Sequence, residues 1–296
     1  MNTTSFNRSI KRPIWLVVMA IATSLGLFGA PVNANCLGEA NTTKVYTFEV
    51  VPQFTAAKIY TTWSPLLQRV GQEAGLCFEL RVSPTIPEFE QRLLKGETEF
   101  AFMNPYHAVL AYQKKKYQPL LADNSELLTG ILVVRKDSPI KNLEDLKGQN
   151  ISFPAPNAFA ASLLIRAELA KKKINTTPVF VKTHSNVYRS VIGRDAVSGG
   201  GVNNTLANEP VEIRNQLRVL FETPGYTPHP IATNPSVPAS VRERFLKSML
   251  SLTNDPEGRK LLDDVNIAQP QAVSYSKNYK VLESLQLEKF LVLSGQ

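Results

Sequence analysis

The residues best placed to do chemistry here sit where a strand runs straight into a helix. Asn104-Pro105-Tyr106 follows the apolar run of residues 100–103 (FAFM), and an Asn cap with proline at the first helical position is a strong start signal. Residues 151–162 (ISFPAPNAFAAS) repeat the arrangement: a short strand, a turn stiffened by Pro154 and Pro156, then a helix expected to begin after Asn157 and to run to about Lys172. His184-Ser185-Asn186 ends a third strand just before a helix, with Tyr188 one turn further on the same face. The first turn of a helix carries N–H groups without intrahelical partners at its positive dipole end, so each place suits an anion. The candidate ligand contacts are therefore Asn104, Tyr106, Asn157, Ala158, Phe159, Ala160, His184 and Tyr188. Each has a plainer reading: the asparagines as ordinary caps, Tyr106 as a packed ring, His184 as a satisfied structural histidine.

Catalysis finds little support. The sequence contains no G-x-S-x-G elbow, no HExxH and no P-loop, and its three histidines, His107, His184 and His229, have no metal-ligand spacing. No catalytic residue, metal or cofactor is implied. The chemistry looks like recognition rather than turnover.

Strands alternating with helices must position these residues. Residues 44–51, 77–82, 100–103 and 117–121 read as strands, with helices over 56–74 and 87–94 and from 104 to about 115. A second block follows, with extended runs at 128–135, 151–153, 179–182, 217–221 and 231–234 and helices near 142–148, 158–172 and 186–192. Gly199-Gly200-Gly201 reads as a flexible turn, or as a place where backbone approaches a ligand. From Ser240 the pattern turns helical, opening on a Ser240-x-x-Glu243 capping box with Val241, Phe245, Met249 and Leu252 on one face; further helical pieces fall at 257–262 and 279–287. Alternation of this kind gives an α/β fold with largely parallel sheets. Two such blocks joined by crossings near 128–134 and 226–233 predict two lobes: residues 35–133 with 228–296, and residues 134–227. Ligands in such folds bind at the carboxyl ends of the strands, in the crevice between units.

Residues 1–34 read as a signal peptide. Arg8, Lys11 and Arg12 precede an apolar stretch at 14–28, and Val32-Asn33-Ala34 offers small residues for cleavage after Ala34. An uncleaved anchor is the alternative; a lipidated Cys36 is disfavoured by Asn35 before it. Cleavage removes three basic residues and no acidic one, so the net charge falls from +8 to +5. The basicity is spread thinly. The two tight runs, residues 114–116 and 171–173, sit at expected helix C-termini, where lysines complement the dipole, and no aromatics interleave with them as a nucleic-acid surface would require. Cys36 and Cys77 are the only cysteines, and in an exported chain the simplest reading is a disulfide, with a thiolate ligand set for a soft metal as the alternative.

Residues 130–148 (GILVVRKDSPIKNLEDLKG), the strand–Pro-Asn–helix stretch, residues 184–186 (HSN) and residues 223–230 (TPGYTPHP) together resemble the phosphate/phosphite/phosphonate-binding subunits of ABC importers, across roughly residues 45–252. The resemblance implies the type II periplasmic-binding-protein architecture, two α/β lobes joined by two crossing strands and closing on a small ligand. In phosphonate binders of this kind a Ser-Thr-Ser run usually opens the helix after Pro-Asn. Here those positions are Ala158, Phe159 and Ala160, so hydroxyl contacts are replaced by backbone donors and Phe159 becomes a candidate wall. His184 matches the family's second-lobe histidine, and Asn104-Pro105 with Tyr106 match its first-lobe position.

The function implied is a monomeric periplasmic protein that delivers a small anionic solute, phosphonate-, phosphite- or phosphate-like, to an ABC permease. The alternatives are a sensory protein that presents its closed form to a membrane histidine kinase or chemoreceptor and, more remotely, an enzyme on the same fold.

Overall fold

The computed structural model of the protein describes residues 1–4 and 36–292. The leader and cleavage site expected over residues 1–34 lie outside the described residues, save the first four. No helix among the described residues is long and apolar enough to cross a membrane.

The first block runs β1 (Leu37–Gly38), β2 (Val45–Val50), α1 (Ala56–Ala74), β3 (Cys77–Arg81), α2 (Ile86–Lys95), β4 (Phe100–Phe102), α3 (Pro105–Lys115) and β5 (Gln118–Asp123). Its boundaries follow from local chemistry. The Thr55 hydroxyl caps α1 by accepting from the Lys58 N–H at 3.3 Å, and Gly75 ends it at φ 62°. Cys36 and Cys77 are bonded, with Cα atoms 5.4 Å apart, which pins β1 beside β3. Closing a loop of this length removes about 4 kcal/mol of unfolded-chain entropy.

The second block runs β6 (Gly130–Arg135), β7 (Asn150–Phe153), a π-helical turn (Phe159–Leu164) continuing directly into α4 (Ile165–Lys171), β8 (Thr177–Phe180), α5 (His184–Gly193), β9 (Ser198–Val202), α6 (Asn203–Ala207), α7 (Val211–Arg214) and β10 (Leu217–Glu222). The chain then returns through β11 (Pro230–Thr233), α8 (Ala239–Ser251), α9 (Pro256–Asp264) and β12 (Pro270–Ala272).

These strands form two sheets, ordered β1-β3-β2-β4-β11-β5-β12 and β10-β6-β9-β7-β8. Parallel pairing holds for β3-β2-β4 and for β8-β7-β9. Each sheet also takes in one crossing strand antiparallel to both its neighbours, β11 in the first and β6 in the second. The first core is aromatic: Phe48, Phe78, Phe100 and Phe245 meet edge-to-face and stacked, with Trp63 against Phe102. It continues across to the second sheet through Phe159, Ala160 and Val202, so the two halves are pressed together.

Local corrections follow. The α5 helix begins at His184, because Thr183 rather than a later residue caps it, accepting from the Asn186 N–H at 3.1 Å. The capping box at Ser240 is not formed: Pro238 precedes a helix that already includes Ala239, and no side chain caps it. Gly199-Gly200-Gly201 is no turn but the middle of β9, fully buried between β6 and β7. The physical reason is space. A Cβ on Gly200 would lie 2.1 Å from the Ala161 carbonyl oxygen, and one on Gly201 2.3 Å from the Tyr188 hydroxyl. Gly130 in β6 is the same case, 2.2 Å from the Ala160 carbonyl oxygen. Bare strands let the π-helical turn lie directly on the sheet. Gly200→Ala is therefore expected to lower stability by about 1–3 kcal/mol through overpacking. Urea unfolding measures this, and an unchanged midpoint would show that turn and strand can separate freely.

Candidate functional site

The π-helical turn and α3 start opposite each other in the narrow space between the sheets. Asn104 caps α3 as its sequence position suggests, its Oδ1 accepting from the His107 N–H at 2.7 Å. Its Nδ2 crosses to the second sheet's side and donates to the Asn157 carbonyl at 3.3 Å. Facing it, Phe159, Ala160 and Ala161 form the first turn of the π helix. The Ser162 and Leu163 N–H groups both donate to the Ala158 carbonyl, at 2.9 and 3.1 Å. The preceding N–H groups belong to the turn that has no intrahelical acceptors. No side chain caps this end.

Two histidines complete the space. His184 is 2 % exposed and lines it, with Nδ1 3.3 Å from the Thr205 hydroxyl. Thr205 in turn meets the Tyr188 hydroxyl at 2.7 Å and the Val202 carbonyl at 3.0 Å. His229, on the second crossing, is 6 % exposed, stacks on Phe102 at 5.4 Å and has no hydrogen-bond partner among the described residues. Burial holds both neutral: the His184 pKa falls to about 4 and that of His229 to about 3, the latter lowered further by the neighbouring His184 and His107. The third histidine, His107, lies behind Asn104 and falls to about 3 by burial alone.

Val51, Gln53, Ile86 and Val202 supply the remaining walls, and no Lys, Arg, Asp or Glu lines the space. About 10 Å³ is left for the centre of a water molecule, room for roughly one water. The surroundings are thus dipolar and uncharged: open N–H groups at a helix start, neutral imidazoles and the amides of Asn104 and Gln53.

The expected site residues divide into two groups. Asn104, Ala158, Phe159, Ala160 and His184 line this space together. Asn157, Tyr106 and Tyr188 direct their polar atoms elsewhere. Asn157 does not cap the helix as expected. Its amide pairs with the C-terminal segment, Nδ2 donating to the Val292 carbonyl at 2.9 Å and Oδ1 accepting from the Val292 N–H at 3.0 Å. The same Nδ2 reaches Glu90 Oε2 at 2.6 Å. The Tyr106 ring stacks on Phe159 at 6.4 Å, while its hydroxyl donates to Glu288 at 2.9 Å. Tyr188 touches the space only through Thr205 and His184. The sequence reading did not single out His229 or Gln53. His229 stands in a proline-rich turn directly before β11, and that entry into a central strand is the signal that could have marked it.

Residues 48–279 match the family model for the periplasmic substrate-binding protein of phosphonate ABC transporters. The chain belongs to this family. It is a substrate-binding component of an ABC importer that carries a small anionic solute, and the family is one of periplasmic binding proteins rather than enzymes. The binding protein is similar to the phosphonates-binding periplasmic protein of Escherichia coli K12, with 21% identity over 269 residues, spanning 85% of this chain and 78% of that protein. In fold it is similar to a binding protein component of an ABC phosphonate transporter from Pseudomonas aeruginosa, with a TM-score of 0.73 and 17% identity over 83% of this chain and 86% of the other. It is equally similar to a Prochlorococcus marinus protein solved with methylphosphonate, with a TM-score of 0.73 and 15% identity over 82% and 97%. These structures share the two-lobe type II architecture that the two sheets display here.

Proposed function

We propose that the space between the two helix starts, widened as the lobes part, is the solute site, and that the solute is a compact oxyanion of the phosphonate, phosphite or phosphate kind. One observation carries this reading: the uncapped first turn at Phe159, Ala160 and Ala161 opens onto two buried, neutral histidines, and His229 has no hydrogen-bond partner among the described residues. Neutral donors and helix-end dipoles hold an anion without a counter-ion, and in a water-poor space each such bond is strong. The Thr205 hydroxyl has one proton to give: when it goes to His184 Nδ1 rather than to the Val202 carbonyl, Nε2–H is left free to donate to the solute. Ala158 and Ala160 contribute backbone and little bulk, and Phe159 forms an aromatic wall held between Tyr106 and Tyr226.

The lobes move as units about crossings at residues 124–129 and 223–229, between the last strand of one sheet and the first of the other. Export rests on the leader expected over residues 1–34. Import to a permease is favoured over presentation to a membrane sensor because the matching family is that of transporter components. The protein acts as a monomer.

Calorimetric titration with methylphosphonate, phosphite and phosphate tests the assignment. One of the three is expected to bind with one-to-one stoichiometry, while a neutral analogue such as dimethyl methylphosphonate gives no heat. Silence from all three anions, or equal binding of the neutral compound, sinks the oxyanion reading.

A further inference from the structure

The C-terminal residues 287–292 do not lie along one lobe. They bridge both. From the first lobe, the Tyr106 hydroxyl of α3 reaches Glu288. From the second lobe, Arg166 of α4 donates to the Phe290 carbonyl at 2.8 Å and places its guanidinium 5.5 Å from the Phe290 ring. Asn157, two residues before the π-helical turn, holds the Val292 backbone with both ends of its amide, as a neighbouring strand would. That amide is 2 % exposed and also donates to Glu90 of α2, itself 3 % exposed. Asn104 donates to the Asn157 carbonyl from the other side. One short loop of the second lobe is thus tied to α2, to the cap of α3 and to the C-terminal run, and of these bonds only the one from Asn104 borders the solute space.

We propose that residues 287–292, gripped by Asn157 and Arg166, form a latch that holds the two lobes together and sets the balance between open and closed forms. Swinging the lobes apart must break the Asn157 bonds to Glu90 and Asn104, and must either break the bonds to Phe290 and Val292 as well or carry the C-terminal run away with the second lobe. The second course pulls Glu288 from Tyr106. Either way buried polar groups lose partners, which makes opening unfavourable. The latch also fixes the backbone just before residues 158–161, so it positions the first-turn N–H groups as well as the lobes. Asn157 and Arg166 are positioning residues in this scheme. They act through the loop and need not touch the solute.

The test needs no solute, so it stands or falls apart from the ligand assignment. Small-angle X-ray scattering of the solute-free protein is compared for wild type, Asn157→Ala and Arg166→Met, with circular dichroism confirming that each variant is folded. The wild-type curve is expected to fit the closed arrangement. Both variants are expected to show a larger radius of gyration, corresponding to a shift of about tenfold or more toward the open form. Arg166→Met keeps the buried amide of Asn157 intact, so it reports on the latch if Asn157→Ala fails to fold. Folded variants with wild-type scattering overturn the proposal, as does a wild-type protein that is already open without solute.

Discussion

Replacing His229 by alanine is expected to weaken binding of the oxyanion identified by calorimetry by about 10- to 100-fold, the range for losing one hydrogen bond to a charged group. His229 has no competing hydrogen-bond partner among the described residues and faces the π-helical turn from the second crossing. Removing its imidazole therefore takes a donor from the solute and leaves no other polar group stranded. His184→Ala is expected to have an effect of similar size, with an added consequence: Thr205 loses one partner and keeps Tyr188 and the Val202 carbonyl. Tyr188→Phe separates the two roles. It leaves both imidazoles in place but removes the hydroxyl bonded to Thr205, so a smaller loss of about threefold to tenfold is expected. Calorimetry on the three variants, with thermal unfolding as a control for the fold, measures this. If His229→Ala binds like wild type, the solute does not sit between the histidines and the helix start.

Acid is expected to unfold this protein well before the carboxylates give way. Three histidines are buried as neutral rings, with folded values of about 3, 4 and 3 for His107, His184 and His229. A depressed folded value means that the unfolded chain takes up protons that the folded protein refuses. The stability involved is complete above the ordinary histidine value near 6.5 and is lost as pH falls toward the folded values. Between pH 7 and pH 5 each ring accounts for up to about 2 kcal/mol, so the three together remove roughly 3–6 kcal/mol. Glu90 acts in the opposite direction. Burial raises its carboxyl above the usual range, so protonating it favours the folded state, but it is one group against three. Urea unfolding at pH 7 and pH 5 gives the difference directly, and proton NMR should show all three imidazoles failing to titrate over that interval. A stability change under about 1 kcal/mol, or an imidazole that titrates near 6.5, would mean that the rings are open to solvent.

Much of the scaffold was legible because short-range chemistry set it. Asn104-Pro105 announced the start of α3, Gly75 the end of α1, and the alternation of strands and helices the two blocks. Family resemblance and fold agree on the two-lobe architecture. What stayed hidden depended on distant partners. Asn157 reads as a cap because Asn before a helix usually is one, but its amide is taken by Val292, 135 residues further on, and by Glu90. Gly199-Gly200-Gly201 reads as a turn because glycine usually marks one. Its use here is to leave room for the Ala161 carbonyl and the Val187 and Tyr188 side chains, which no local pattern encodes. His229 had only its place at the proline-rich entry to β11 to mark it. Its neighbours, Phe102 and His184, come from other elements of the fold.

The π-helical turn solves a problem of phase. An α-helix advances about 100° per residue, so fixing the direction of one end fixes the other. At its far end α4 must bury Ile165 and Leu169 in the second core beside Phe153. At its near end the same helix must aim Phe159, Ala160 and Ala161 into the space facing His184 and His229. A wider turn between the two holds one residue more than an α turn and decouples these demands. The end proposed to face the solute can thus be re-aimed by a single-residue insertion or deletion without disturbing the packing that keeps the second lobe folded, and sequence drift at that one place gives a family of such proteins a route to new solutes.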